Sequence, residues 1–169
     1  MIADIKRNYG HFWYSWITHG NGHEYLICGE DYQGQTIVNL STGEIRSYFP
    51  DAGYDGGGLC WTAAHPSPDS QVLAVEGCYW ACPYEVVFYD FSSPDDLPYK
   101  ELSRVRDLGK CVGWKDNESF ELTREVEARK SDGRMYGELT DEERDLADRT
   151  PGALHTIEIS TVVKRPFAA

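Results

Sequence analysis

The stretch Gly58–Val105, GLCWTAAHPSPDSQVLAVEGCYWACPYEVVFYDFSSPDDLPYKELSRV, holds four short runs of strand-forming residues separated by turn-rich breaks. Cys60–Ala64 leads into PSPDS, where Pro66, Pro68 and Asp69 interrupt pairing and favour reversal. Gln71–Val75 follows as an apolar run. Glu85–Phe91 is β-branched and aromatic, and SSPDDLP separates it from Tyr99–Val105. Strands joined by such short reversals predict an antiparallel meander.

The flanking segments repeat the pattern. His11–Thr18, Glu24–Cys28, Thr36–Leu40 and Ile45–Phe49 read as four strands, with HGNG, the Gln33–Gly34 turn and STGE at the reversals. On the C-terminal side Lys110–Trp114, Phe120–Arg129 and Leu154–Val163 read as three more. Between the last two, Thr140 and Glu143 have capping-box spacing. DEERDLADR then puts acidic residues in the first turn of a short helix, which Pro151 and Gly152 end. The expectation is one mainly β domain over 1–169, with about three antiparallel units at 11–50, 58–106 and 109–165 and a helical insertion at 140–149. Trp16, Trp61 and Trp114 each head a unit, roughly 45–55 residues apart, close to the length of a four-stranded propeller blade.

The second unit resembles a blade of the WD-type propellers, in which a serine-proline-aspartate turn separates an inner strand from an apolar second strand. Ser67, Pro68 and Asp69 take those places, and EVVFYDF resembles the blade segment that carries an aromatic-aspartate pair. The likeness covers the second unit well and the other two loosely, and it implies propeller-like blades. Propellers normally use at least four, so three leave sheet faces and edges to cover. Pairing of two copies in a homodimer is the preferred closure, with a capping partner or a distorted sandwich as alternatives. The stretches GHEYLICGEDYQG, ending at Gly34, and GCYWACPYE, Gly77–Glu85, also resemble small uncharacterised bacterial proteins, which implies a bacterial or phage origin and no particular activity.

Sixteen basic residues against 28 acidic ones give a formal charge of −12, which repels nucleic acid and anionic membrane and attracts a basic protein surface. With 41% hydrophobic residues, including 5 Trp, 11 Tyr and 6 Phe, the chain has apolar surface enough for a core. The opening MIADIKRNYGHFWYSW lacks a long apolar run followed by a small-residue cleavage site, and nowhere do about twenty apolar residues run together. Five cysteines, Cys28, Cys60, Cys78, Cys82 and Cys111, are an odd number in a chain that needs no staples. These features predict a cytoplasmic protein with reduced thiols.

Cys78 and Cys82, joined by Cys60 or His65, make only one tight pair of a structural zinc pattern, so buried packing is the expected role and no metal or other cofactor is assigned. Cys60 with His65, or Cys28 with His19 or His23, would need spatial geometry to act as nucleophile and base. The Gly53–Gly58 stretch lacks the Lys-Ser/Thr pair and following helix of a phosphate loop, and EDYQG lacks the oxygen spacing of a calcium loop. More telling is the clustering of aromatics in predicted turns. Tyr32, Tyr54, Tyr79, Trp80 and Tyr84 are the candidate partner-binding residues, because Tyr and Trp anchor interfaces and loops on rigid β scaffolds make contacts. The leading expectation is a non-enzymatic protein-interaction module. The alternatives are an acidic phage or mobile-element inhibitor that mimics nucleic acid on a host or defence protein, its charge concentrated at Asp116–Asp148, and a metal-dependent hydrolase built from Cys60, His65, Glu76 and Cys78.

Overall fold

A computed structural model describes residues 11–30, 34–49, 59–79 and 83–165. Eleven strands, one 3₁₀ turn and one α-helix occur among them. The first sheet is a meander of β1 (His11–Thr18), β2 (Glu24–Glu30), β3 (Gln35–Asn39) and β4 (Glu44–Tyr48). The second repeats that order with β5 (Cys60–Pro66), β6 (Val72–Cys78), β7 (Glu85–Asp90) and β8 (Glu101–Val105). The third has three strands, with β10 (Ser119–Arg129) between β9 (Leu108–Asp116) and β11 (Leu154–Lys164). All the pairings are antiparallel.

The reversals work as their residues require. Ser67 Oγ donates to Asp69 Oδ1 at 2.6 Å and accepts from Val72 N at 3.0 Å, closing the turn between β5 and β6. Arg165, just past β11, reaches the other carboxylate oxygen of Asp69 at 2.9 Å and so ties the third sheet to this turn. At the neighbouring end His19 contacts the carbonyls of Ser70 and Phe91 through Nε2, at 2.8 and 3.0 Å. The Tyr25 hydroxyl donates to Asp95 Oδ2 at 3.0 Å. These bonds satisfy polar groups at the seam between the first two sheets, where an unpaired one would carry a desolvation penalty.

Two cores share the second sheet. Toward the first sheet Trp61, Leu73, Val75, Val87, Tyr89 and Phe91 pack against Ile17, Tyr25, Ile27 and Ile37. The approach is close at Gly29, where a Cβ would stand 2.7 Å from the Trp61 carbonyl oxygen, so no larger residue fits without a shift. Toward the third sheet Val72, Ala74, Val86 and Phe88 pack against Phe120 and Leu122. Strand periodicity explains this division, since alternate residues of β6 and β7 face opposite ways.

The propeller-like reading is corrected here. The described residues form three separate antiparallel sheets that do not close around an axis. The second sheet has a neighbour on each face, whereas a propeller needs every blade to have two neighbours in a closed circuit. Nor are the three tryptophans equivalent. Trp61 is buried between the first two sheets, Trp114 is half-buried between the second and third, and Trp16 points out from the first sheet with 54% of its surface exposed. The recurring residue marks similar meanders and does not mark similar surroundings.

The helical insertion stands where the sequence places it. It interrupts the β10–β11 hairpin as a 3₁₀ turn at Tyr136–Glu138 followed by α1 (Asp141–Arg149). Thr140 Oγ1 accepts from Glu143 N at 3.3 Å, and the Glu143 carboxylate accepts from Thr140 N at 3.0 Å, a reciprocal capping box.

Candidate functional site

Of the aromatics expected to bind a partner, Tyr32, Tyr54 and Trp80 lie outside the described residues, as do Cys82 and the glycine-rich stretch. Tyr79 packs against the core between the first two sheets, and the Arg104 guanidinium sits 5.4 Å from its ring centre. Arg104 is held in turn by Glu85 at 2.9 Å and Glu101 at 2.7 Å. Tyr84 stands just before β7 with its side chain exposed. Tyr79, Pro83, Glu85, Arg104, Arg106 and Asp107 line a cleft of about 280 Å³ beside it. The structure thus brings Tyr79 and Tyr84 to one end of the second sheet, with Tyr79 engaged and Tyr84 available.

On the outer face of the first sheet the exposed side chains Tyr14, Trp16 and Ile45 flank a buried apolar cluster of Leu26, Cys28 and Val38, and loop composition does not reveal it. The register places Trp16 opposite Leu26, Leu26 opposite Val38, and Val38 opposite Ile45, so that one hydrophobic row crosses all four strands. Its middle residues, Leu26 and Val38, are buried, while Trp16 at one end and Ile45 at the other are exposed by 54% and 43%. Tyr14 adds a partly exposed ring on the same face, opposite Cys28. The signal was present in HFWYSWIT. Trp13 and Ile17 serve the core, yet Tyr14 and Trp16 make the alternate positions aromatic too, so β1 has no polar face.

A third constellation joins the second and third sheets. The register of β5 shifts between Trp61 and Ala63, a bulge that changes strand parity. Trp61 therefore faces the first sheet, and His65 is turned toward the third, where its ring meets Phe120 edge-on at 5.9 Å. Glu76 follows Val72 and Ala74 on the same face of β6, and His65 Nε2 lies 2.5 Å from Glu76 Oε1. Cys111 on β9 completes the group: its sulfur, the imidazole nitrogen and a carboxylate oxygen all lie within 4.8 Å of one another. The hydrogen bond from His65 leads the causes that lower the Glu76 pKa, against the opposing effect of burial. Burial, with the neighbouring Glu76 carboxylate adding to it, pushes the Cys111 thiol well above its ordinary range. A nucleophilic thiol needs a depressed pKa, so this arrangement does not suit covalent catalysis at Cys111. It offers instead one nitrogen, one oxygen and one sulfur ligand.

The cysteine arrangements expected from sequence fare differently. Cys60 and Cys78 are cross-strand partners at the ends of β5 and β6, away from His65, which pairs with Ala74. His19 is committed to the Ser70 and Phe91 carbonyls, while Cys28 lies mid-strand opposite Tyr14. Sequence reasoning put His65 and Glu76 in one group but missed Cys111, because the contact between β5 and β9 spans a sheet boundary that no local pattern encodes.

The outer face of the third sheet gathers several glutamates, of which Glu121 is paired with Lys115 at 3.3 Å. Phe120 and Leu122 point inward, so Glu121, Glu125 and Glu127 point out, and Glu125 stands directly opposite Glu158 of β11. Beyond β9 the β10–β11 hairpin carries the insertion, fastened by a knot in which Arg129 and Arg134 bridge Asp132 and Glu143. The hydrogen bond from Arg134 is the largest of the causes that lower Glu143 to about 2. Arg129, Lys130, Glu143, Leu146 and Ala153 line a cleft of about 470 Å³ against α1. Among the described residues no helix is long and apolar enough to cross a membrane.

Fold and surfaces together define a mainly β protein of three stacked antiparallel meanders with a helical arm. No family model matches the sequence. The chain is similar to an uncharacterised protein of Acanthamoeba polyphaga mimivirus, with 37% identity over 112 residues that cover 64% of this chain. The match spans 43% of the viral protein's length. This viral likeness, with the open arrangement of the sheets, stands against both expected resemblances, to WD-type propeller blades and to small uncharacterised bacterial proteins.

Proposed function

We propose that this chain is a non-enzymatic protein-interaction module whose contact surface is the outer face of the first sheet. The observation that carries the reading is the row Trp16–Leu26–Val38–Ile45, which crosses the whole sheet and leaves its two ends in water. Covering a side chain of this size contributes roughly 1.5–3 kcal/mol, and tryptophan is prominent among interface hot spots. A charge of −12 opposes pairing of two copies and favours a partner whose apolar patch is rimmed by basic residues. Tyr84 serves as a secondary anchor, in a reducing cytoplasmic setting.

The test uses wild-type chain and the variants Trp16→Glu and Tyr84→Ala as baits in a native lysate, with solution mass measured alongside. A partner captured by wild type and by Tyr84→Ala, and lost with Trp16→Glu, supports the assignment. Capture indifferent to Trp16→Glu in a folded variant removes the face. A wild-type dimer that Trp16→Glu converts to monomer makes a second copy the occupant.

A second reading rests on the facing pair Glu125 and Glu158. Like charges directly opposite on a sheet are destabilising, yet Glu127 extends the same acidic ridge. That ridge suits a basic groove that ordinarily holds nucleic acid. Competition between this chain and DNA for the captured partner, weakening steeply with salt, is the expected behaviour; salt-insensitive capture without competition eliminates it.

A further inference from the structure

We propose that His65, Glu76 and Cys111 bind a borderline-soft divalent cation, zinc in the first place, which pins the second sheet to the third. The ligands come from β5, β6 and β9, so the ion would bridge two sheets. Zinc takes imidazole, carboxylate and thiolate at about 2.0–2.3 Å, which sets tetrahedral ligand atoms roughly 3.3–3.8 Å apart. The three atoms here lie within 4.8 Å of one another before any ion draws them in. A contraction of about 1 Å is within reach of small side-chain rotations at Glu76 and Cys111. The 2.5 Å contact between His65 and Glu76 opens as the ion takes the place of the hydrogen-bonding proton, and the Cys111 thiol gives up its proton to solvent as the thiolate coordinates.

The chemistry of the set selects the metal. Magnesium and calcium prefer all-oxygen sites, whereas mixed nitrogen, oxygen and sulfur donors suit zinc and its spectroscopic substitute cobalt(II). The surroundings hold the ligands in place. Trp114 Nε1 donates to the His65 carbonyl at 2.8 Å, which ties β5 to β9, and Phe120 packs edge-on against the imidazole. The His65 and Glu76 side chains are 32% and 23% exposed, so an ion can enter from solvent and keep a water as its fourth ligand. This site is independent of the partner-binding face on the first sheet.

Cobalt(II) added to chelator-treated protein is the probe. Wild type is expected to take up one equivalent with a thiolate-to-cobalt charge-transfer band, and zinc is expected to displace it. Cys111→Ser should abolish the band, and His65→Gln and Glu76→Gln should weaken uptake by more than about 100-fold, beyond the loss typical of outer-shell changes. Cys78→Ser should alter neither. Circular dichroism confirms that each variant is folded; if Cys111→Ser does not fold, the His65 and Glu76 variants decide. The proposal is overturned if folded wild type takes up no stoichiometric cobalt, if the band survives Cys111→Ser, or if it follows Cys78→Ser instead. Zinc should also raise the melting temperature of wild type and not of Cys111→Ser, and an equal rise in both places the ion elsewhere.

Discussion

The two faces of the second sheet bury different chemistry. Toward the first sheet Trp61 lies 5.6 Å from Tyr89 and 6.2 Å from Tyr99, in a cluster that is otherwise aliphatic and aromatic. Toward the third sheet Phe88, Trp114 and Phe120 make an equally aromatic centre, with ring separations of 5.2 to 6.1 Å. That second centre continues directly into His65, Glu76 and Cys111. The first interface is held mainly by buried apolar area, with the His19 and Tyr25–Asp95 hydrogen bonds at its end. The second adds a carboxylate whose placement is tolerable only while it is hydrogen-bonded, so it specifies how the sheets meet as well as that they meet.

The largest effects should come from the aromatic centres. Trp61→Ala and Phe120→Ala should each destabilise the fold by about 3–5 kcal/mol, read as a lowered urea midpoint at constant slope. If Phe120→Ala proved nearly neutral while Trp61→Ala did not, the third sheet would be an appendage rather than part of the same cooperative unit.

Glu76 should separate the faces by pH. Its folded pKa is lowered, first by the His65 hydrogen bond, so its contribution is present above the unfolded value of about 4.3 and is lost as pH falls through the folded value. Glu76→Gln should therefore cost about 1.5–3 kcal/mol near neutrality, the range for a hydrogen bond to a charged group, and progressively less in acid. A difference from wild type that stays constant as pH falls from neutrality into strong acid would disprove this role. Trp61→Ala, acting on the dry face, should show no such convergence.

How much of this was legible beforehand follows from the range of each interaction. HFWYSWIT runs as a strand from His11 to Thr18 and DEERDLADR as a helix from Asp141 to Arg149, as expected, because alternation and capping act within a few residues. Several other strand ends moved by one to three residues: Gln71–Val75 became Val72–Cys78, since β6 continues as long as β5 offers partners. The arrangement of the sheets was misread. Three tryptophans at similar intervals suggested equivalent blades, but a strand's period does not say which face a neighbouring sheet will take. The bulge after Trp61 reverses that assignment within a single strand. Cys111 was invisible as a partner of His65 for the same reason, and Trp16 was counted as a repeat marker although, unlike Trp61, it lies on the exposed face of its sheet.

The insertion contrasts with both interfaces because little beneath it is buried, apart from Ala128, Leu139 and Ala147. Its order rests on local bonds. Thr140→Ala should remove the cap and cost about 0.5–2 kcal/mol. The cost should fall on α1, accelerating hydrogen exchange of its amides and leaving those of β6 and β7 unchanged. Acid should act in the same direction. Glu143 is lowered to about 2, so its support is present above the unfolded value of about 4.3 and disappears as pH approaches 2. Simultaneous loss of exchange protection in α1 and in the second sheet would show that the arm and the body unfold together.

The smallest expected change in stability belongs to Trp16, and it bears most directly on function. Core residues of similar size lose several kcal/mol on truncation because a cavity is left behind, but a ring with 54% of its surface in water leaves none of comparable size. Trp16→Ala should accordingly shift the urea midpoint by no more than about 0.5 kcal/mol. Partner binding should fall far more, by about 2 kcal/mol or roughly 30-fold, if the ring is an interface anchor. The two measurements have to be made on the same variant, because only their disproportion is informative. A large loss of stability would mean that Trp16 covers the Leu26–Val38 row as part of the fold. A loss in neither would leave the exposed end of the row at Trp16 without a role in recognition and return attention to Tyr84 and the cleft beside Arg104.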